Sequence, residues 1–258
     1  MSSALRLHRD IILASKVQHW EERMQTTPLA AVLAVARMQT RPRYILDEIG
    51  QRGRVALIAQ VTRMPVYDPV TTALRCVLGG ADAIAFFTDH SIYAQDLNDS
   101  LMVGRALRET PMLFQNYILN EYGVLAARAA CASGLMLYRA LLDETMLRKV
   151  VTLAQRWKMA TVVQISKSED LEATLQLSPH SISFGDIDQS PADALDLLRA
   201  LSPRLPHHVQ AMFTPALHQL DEVEAAIDAG AQAIIVHSDL FKSDANTVQL
   251  RRMVKQRA

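Results

Sequence analysis

From Val55 onward, short apolar runs alternate with stretches in which apolar residues recur every three or four positions. The first pattern suits strands buried on both faces, and the second suits helices that bury one side. The apolar runs predict strands over 56–61, 83–88, 112–117, 135–138, 161–165, 181–184, 209–212 and 233–236. Between them the spacing predicts helices over 70–78, 99–108, 122–131, 144–157, 168–177, 192–201 and 219–229. Eight strands, each followed by a helix and with no Ser/Gly-rich linker between units, favour a closed α/β (β/α)8 TIM barrel over an open doubly wound sheet. Residues 1–54 carry further helical patterns at roughly 5–24, 29–37 and 44–51. They predict an N-terminal helical extension on a barrel of residues 55–258, one compact domain overall, although the same pattern also suits a separate small domain.

Composition narrows the function classes. Half of the 258 residues are hydrophobic, which is globular usage, and 27 basic side chains balance 27 acidic ones. Without a basic surplus, nucleic acid is not an expected partner, and Arg251, Arg252, Lys255 and Arg257 read as a solvated helix end. The apolar run 29–36 is too short to span a bilayer and no signal peptide is visible, so no membrane partner and a cytoplasmic location are expected. Cys76 and Cys131 fall in helical patterns far apart, which predicts buried thiols rather than a disulfide or a zinc site. Glycine is scarce, with 9 residues, and no Gly-rich phosphate loop occurs, so no cofactor is expected.

Many separated segments carry a resemblance. They include Arg54-Val55-Ala56-Leu57-Ile58-Ala59-Gln60-Val61, Gly79-Gly80-Ala81-Asp82-Ala83, Phe87-Thr88-Asp89 and Pro111-Met112-Leu113-Phe114-Gln115-Asn116-Tyr117-Ile118. Further along come Ala127-Arg128-Ala129-Ala130, Ala140-Leu141-Leu142, Val163-Gln164-Ile165-Ser166, Ala229-Gly230-Ala231 and Ser238-Asp239-Leu240. In their order and spacing the chain resembles the indole-3-glycerol phosphate synthase family, the barrel enzymes of tryptophan biosynthesis. The resemblance implies a reaction that closes an indole ring on a carboxyphenylamino ribulose phosphate, expelling carbon dioxide and water. Such chemistry uses charged proton donors and acceptors at the C-terminal rim of the barrel.

At those positions this sequence departs from the family. The resemblance places the first-strand Glu at Gln60 and the Lys two positions on at Thr62; the third-strand Lys falls at Gln115 and the fifth-strand Glu at Gln164. It places the strand-six Asn and Arg at Ser183 and Gly185, and the strand-seven Glu at Ala211. An amide has no useful pKa near neutrality, so these glutamines keep length without exchanging protons. The phosphate-binding glycines read Phe213 and His237, leaving Ser238 as a remnant donor, and Phe213 is expected to fill or reshape the cradle. The loop that closes over substrate in the family is shortened to Arg63-Met64-Pro65-Val66-Tyr67-Asp68.

Other rim residues are candidates for ligand binding. Arg139 and Arg63 offer cationic contacts to a carboxylate or phosphate, against the plainer reading of Arg139 paired with a local acid. Tyr117, Tyr138, His237 and Ser238 complete the candidate set, with Met64, Met212 and Phe213 making the mouth more apolar. His90, Asp186, Asp188 and Asp239 fall nearby, yet their spacing fits no recognised metal motif, so no metal is expected. His207 and His208 precede strand seven and are placed at the opposite end; Trp20 and Trp157 read as packing. The sequence favours a pseudoenzyme whose ring-closing activity is lost or severely reduced, binding a small molecule, an anion among the choices, or a protein partner. Two alternatives stand beside it: a repurposed barrel enzyme using Arg139, His237 and Asp239 on a different small anionic substrate, and a weak residual synthase.

Overall fold

In the computed structural model, eight parallel strands close into a barrel in strict sequence order. It describes residues 3–43, 45, 54–62, 68–88, 97–185 and 189–255, with side chains from Leu13 onward. The strands are β1 (Ala56–Val61), β2 (Ala83–Phe87), β3 (Met112–Gln115), β4 (Gly134–Tyr138), β5 (Ala160–Ile165), β6 (Ser181–Phe184), β7 (Gln210–Leu217) and β8 (Ala233–His237). Around them lie α3 (Pro69–Leu78), α4 (Leu97–Ala106), α5 (Glu121–Ala129), α6 (Glu144–Arg156), α7 (Asp170–Leu175), α8 (Pro191–Leu201), α9 (Leu220–Asp228) and α10 (Asp244–Met253). The extension supplies α1 (Ser3–Thr26) and α2 (Leu29–Met38). Of the helical pattern at 44–51, only Ile45 lies within the described residues; it is helical and fully buried.

Strand β7 runs well past its predicted end at 212, with a register shift against β8 between Phe213 and Leu217. Pro215 lies in that stretch and cannot donate to the ladder, so a reading based on hydrophobic period stops short of it. Several helices begin on a side-chain cap. Asp68, Asn120, Asp143, Ser190 and Ser243 each accept a backbone N–H from the first turn of the helix that follows, which fixes where each loop ends.

Alternation along each strand sorts side chains into two layers. Ala56 and Ile58 on β1, Leu113 on β3, Val162 on β5 and Ile235 on β8 pack inside the barrel, joined there by Ile45. Leu57, Ala59 and Val61, with Phe184, Phe213 and Val236, face the surrounding helices. Small interior residues such as Ala83, Ala85 and Ala233 leave room for larger ones on facing strands.

With glycine scarce, the turns that return the chain from helix to strand use whatever residue stands there. After α3, Gly80 adopts φ +102°, and a Cβ at this position would lie 2.8 Å from Arg251 Nε. Arg251 is not simply solvated: its Nε donates to Gly79 O at 2.8 Å and its Nη2 donates to Leu78 O, capping α3. Cys131 holds the equivalent place after α5 with φ +69°, outside the helix and only half-buried, which corrects the helical, buried assignment. Cys76 is fully buried, and desolvation pushes its thiol up to about 12. Lys158, exposed after α6, has φ +61°. Relieving a left-handed residue gains about 1–2 kcal/mol and the added chain entropy of glycine costs about 0.4–1 kcal/mol. Lys158→Gly is therefore expected to raise unfolding free energy by about 1 kcal/mol, read as a higher urea midpoint at unchanged m.

Candidate functional site

Because all eight strands run parallel, their C-terminal ends converge on one mouth. Strand register identifies which residues point into it. Gln60 and Thr62 come from the end of β1, Phe87 from β2, Gln115 and Tyr117 from β3, and Tyr138 from β4. Gln164, Ser183, Met212 with Thr214, and His237 complete the ring from β5 to β8. None of the eight strands contains an Asp, Glu, Lys or Arg.

The glutamines are held by amide hydrogen bonds. Gln60 Nε2 donates to Gln115 Oε1 at 2.8 Å, from β1 across β2 to β3. Gln115 turns its own amide N–H toward Met136 Sδ at 3.7 Å. Gln164 Nε2 donates to the Gly185 carbonyl at 2.5 Å, and since that oxygen only accepts, the Gln164 oxygen must face the other way. The Gln164 Oε1, Ser183 Oγ and Thr214 Oγ1 atoms are buried without a hydrogen-bond partner among the described residues.

Aromatic rings from β2, β3 and β4 stand among the glutamines. Tyr117 and Tyr138 lie 5.1 Å apart between centroids, tilted by 51°, and Phe87 meets Tyr117 edge-on at 5.6 Å. Tyr117 is fixed from behind by the N-terminal extension, where Trp20 Nε1 donates to the Tyr117 carbonyl at 2.9 Å. Tyr122 in turn packs edge-on against Trp20 and donates its hydroxyl to Thr27 O at 2.9 Å.

At the β8 end, Thr62 Oγ1 lies 2.6 Å from His237 Nε2. The Asp239 backbone N–H donates to His237 Nδ1 at 3.3 Å, so the neutral ring carries its proton on Nε2 and donates to Thr62. The His218 ring stacks on His237 at 4.6 Å. Burial holds the His237 pKa below the ordinary histidine value; Asp239 pulls the other way, and nearby His218 and Lys242 add smaller pushes in the direction of burial. Burial works against ionising Asp239, yet a hydrogen bond from Lys242 and the surrounding positive charge keep its carboxyl below the usual range.

A depressed histidine gives a defined sign. Its contribution to stability is complete above the ordinary His pKa of about 6.5 and is lost as pH falls through the folded value, because the unfolded chain then binds more protons. His180, lowered by burial, adds the same sign. The His237 imidazole, followed by NMR, is expected to titrate below the ordinary histidine value, and His237→Gln should flatten the acid limb of the stability profile.

Several sequence-predicted residues lie elsewhere. Ala211 packs outward against the helices, so the β7 residue entering the mouth is Met212. Phe213 also points outward, and so does not fill a cradle at the mouth. Arg139 sits on a short turn (Arg139–Leu141) between two acids, with Nη1 3.1 Å from Glu144 Oε2 and Nε 3.1 Å from Asp170 Oδ1. Its charge is thereby compensated, as in the plainer reading. Ser238 is buried at the start of the turn Ser238–Lys242, beside His237. His207 and His208 are exposed just before β7, at the far end from the mouth. Arg63, Met64, His90, Asp186 and Asp188 lie outside the described residues.

Sequence reasoning missed Thr214 and His218, and it read Trp20 as packing, as the structure has it, without its partner. Trp20 and Tyr117 are 97 positions apart, and nothing local to either announces the other. The inward position of Thr214 was hidden by the same Pro215 that hid the end of β7.

Comparison with known proteins gives a consistent assignment. The sequence profile of the family "Indole-3-glycerol phosphate synthase" matches residues 9–253. An indole-3-glycerol phosphate synthase of Leifsonia xyli subsp. xyli is 28% identical over 242 residues, covering 90% of this chain and 93% of that protein. One from Bordetella pertussis is 26% identical over 260 residues, covering 94% and 97% respectively. Among solved structures, the tryptophan synthase alpha subunit of Legionella pneumophila superposes with a TM-score of 0.59 at 17% identity, over 82% of this chain and 98% of its own. Thiamine phosphate pyrophosphorylase of Pyrococcus furiosus matches with a TM-score of 0.59 at 17% identity, over 80% and 98%. At such identities these two structures speak to the barrel fold alone.

Proposed function

The chain belongs to the indole-3-glycerol phosphate synthase family, and on that premise we propose that it is a binding protein on the enzyme's scaffold, with ring-closing activity lost or severely reduced. The observation that carries this reading is the hydrogen bond from the Gln60 amide to the Gln115 amide, which joins two side chains that neither give nor take a proton near neutral pH. Ring closure with loss of carbon dioxide and water requires proton transfer, and each positioned acid or base contributes roughly 10²–10⁴-fold. Gln164, bonded to a backbone carbonyl, offers no replacement. Nor does position 185 readily take back a side chain. Gly185 has φ +125°, and an added Cβ would lie 3.2 Å from Pro215 Cγ.

A second reading, an enzyme with changed chemistry, draws on His237 as the titratable residue of the mouth strands. Its geometry argues for a lesser place. With Nδ1 accepting from Asp239 N–H, the ring donates to Thr62 and does not stand ready to accept the hydroxyl proton. Arg139, the cation that reading would use for an anionic substrate, is occupied by Glu144 and Asp170.

The test is ring closure by the purified full chain on the family's carboxyphenylamino ribulose phosphate substrate, followed by fluorescence of the indole product beside an authentic synthase. The expected result is no product above the no-protein baseline while the synthase turns over. Substantial turnover by the unaltered chain overturns the proposal in favour of a working synthase.

A further inference from the structure

Resting on the reading of this mouth as a binding site, we infer that the group it takes in between the strands is uncharged and planar, and presents a hydrogen-bond donor to Gln164: a carboxamide or N–H heteroaromatic. Three observations carry this. The first is a set of unmet hydrogen-bonding atoms on consecutive strands. Gln164 Oε1 has no partner among the described residues, and neither do Ser183 Oγ and Thr214 Oγ1. All three residues are more than nine-tenths buried, at 8%, 0% and 7% exposure. Buried polar atoms are nearly always paired, so a cluster of orphans on three consecutive strands at the C-terminal end of the barrel marks the place where a partner binds. Gln164 Oε1 can only accept, which requires a donor on the incoming group.

The second observation is the absence of formal charge. No strand carries an acid or a base other than a histidine, and His237 is held in its neutral form by burial. A carboxylate, phosphate or ammonium drawn between the strands would lose its water and meet no Asp, Glu, Lys or Arg on any of them, which is costly even where dipoles help. The third is placement. Tyr138, Gln164 and Ser183 are register partners on β4, β5 and β6, so their Cα atoms stand side by side at one level. A flat ring lying against Tyr138 therefore has the Gln164 oxygen at its edge. Aromatic stacking and one directed hydrogen bond are the usual economy of a small-molecule site.

The test uses three probes of one shape and different charge: benzamide, benzoate and benzylammonium. Each is titrated into the full chain at pH 7.5, with binding read by ligand-observed NMR. Benzamide is expected to bind at least tenfold more tightly than either ion. Gln164→Leu should weaken benzamide about tenfold while leaving the circular dichroism spectrum unchanged, and Gln164→Glu should turn the preference toward benzylammonium. If Gln164→Leu fails to fold, Thr214→Val and Ser183→Ala provide the same readout, each with a smaller loss. The inference is overturned if benzoate or benzylammonium binds as well as benzamide, if none of the three binds, or if the variants leave benzamide affinity unchanged. Running ring closure on the same preparation separates the two claims. Turnover removes the premise, whereas a preference for a charged probe without turnover removes only this inference.

Discussion

Trp20→Ala is expected to cost about 4 kcal/mol of unfolding free energy, near the middle of the range for emptying a buried tryptophan site. Trp20 is 1% exposed and packs with Tyr122, Ile118 and Val124, between the extension and the barrel. Its loss opens a cavity at that seam and strips the Tyr117 carbonyl of its donor. Trp20→Phe separates these effects. It keeps most of the buried area and loses the N–H, so it should cost about 1–2 kcal/mol, the usual penalty for a lost buried hydrogen bond. Urea unfolding of both variants gives the two numbers. Near-ultraviolet circular dichroism adds a local signature, because Tyr117 touches both Phe87 and Tyr138 and its reorientation changes the aromatic signal. Equal losses for the two variants would mean that the hydrogen bond, and not the packing, carries the seam.

The same tryptophan marks where reading the sequence stopped. Hydrophobic period placed Trp20 correctly in a helix, since spacing is a property of neighbours along the chain. Its partner is set by how the extension lies across the end of β3, which no local pattern encodes. The strands were legible for the opposite reason: fully buried parallel strands are continuous apolar runs, and β1 and β6 begin and end where those runs do. At Gln60, Gln115 and Gln164 the residue type alone carries the expectation about chemistry, because an amide has no useful pKa near neutrality wherever it sits, and the structure adds their hydrogen-bond partners. Facing was harder. Ala211 and Met212 are adjacent, and a shift of one residue reverses inside and outside, so only the register with β6 settles that Met212 enters the mouth. Arg139 illustrates a third limit, for the charge was visible while its two acidic partners, at positions 144 and 170, came together only through folding.

Gln115→Lys, by contrast, should be expensive for a reason the residue pair makes specific. Gln115 is 2% exposed, and its neighbours are the Gln60 amide and Met136 sulfur. An ammonium there has no counter-charge on any strand, and a buried charge without its partner costs about 3–5 kcal/mol. Partial neutralisation of the lysine trims this, so a loss of about 3 kcal/mol is expected. Gln60→Glu alone should lose less, because its site is more open, at 6% exposure. Together the substitutions set a carboxylate where Gln60 now donates across 2.8 Å to position 115. The double variant should therefore recover about 2 kcal/mol relative to the sum of the singles, within the range of contacting pairs. It should not exceed the parent, since the desolvation penalty of a neutral amide pair is much smaller than that of a buried ion pair. A double-mutant cycle by urea unfolding measures that coupling. A coupling near zero would mean that Gln60 and Gln115 do not meet, and with it the amide–amide hydrogen bond that carries the functional proposal would fall.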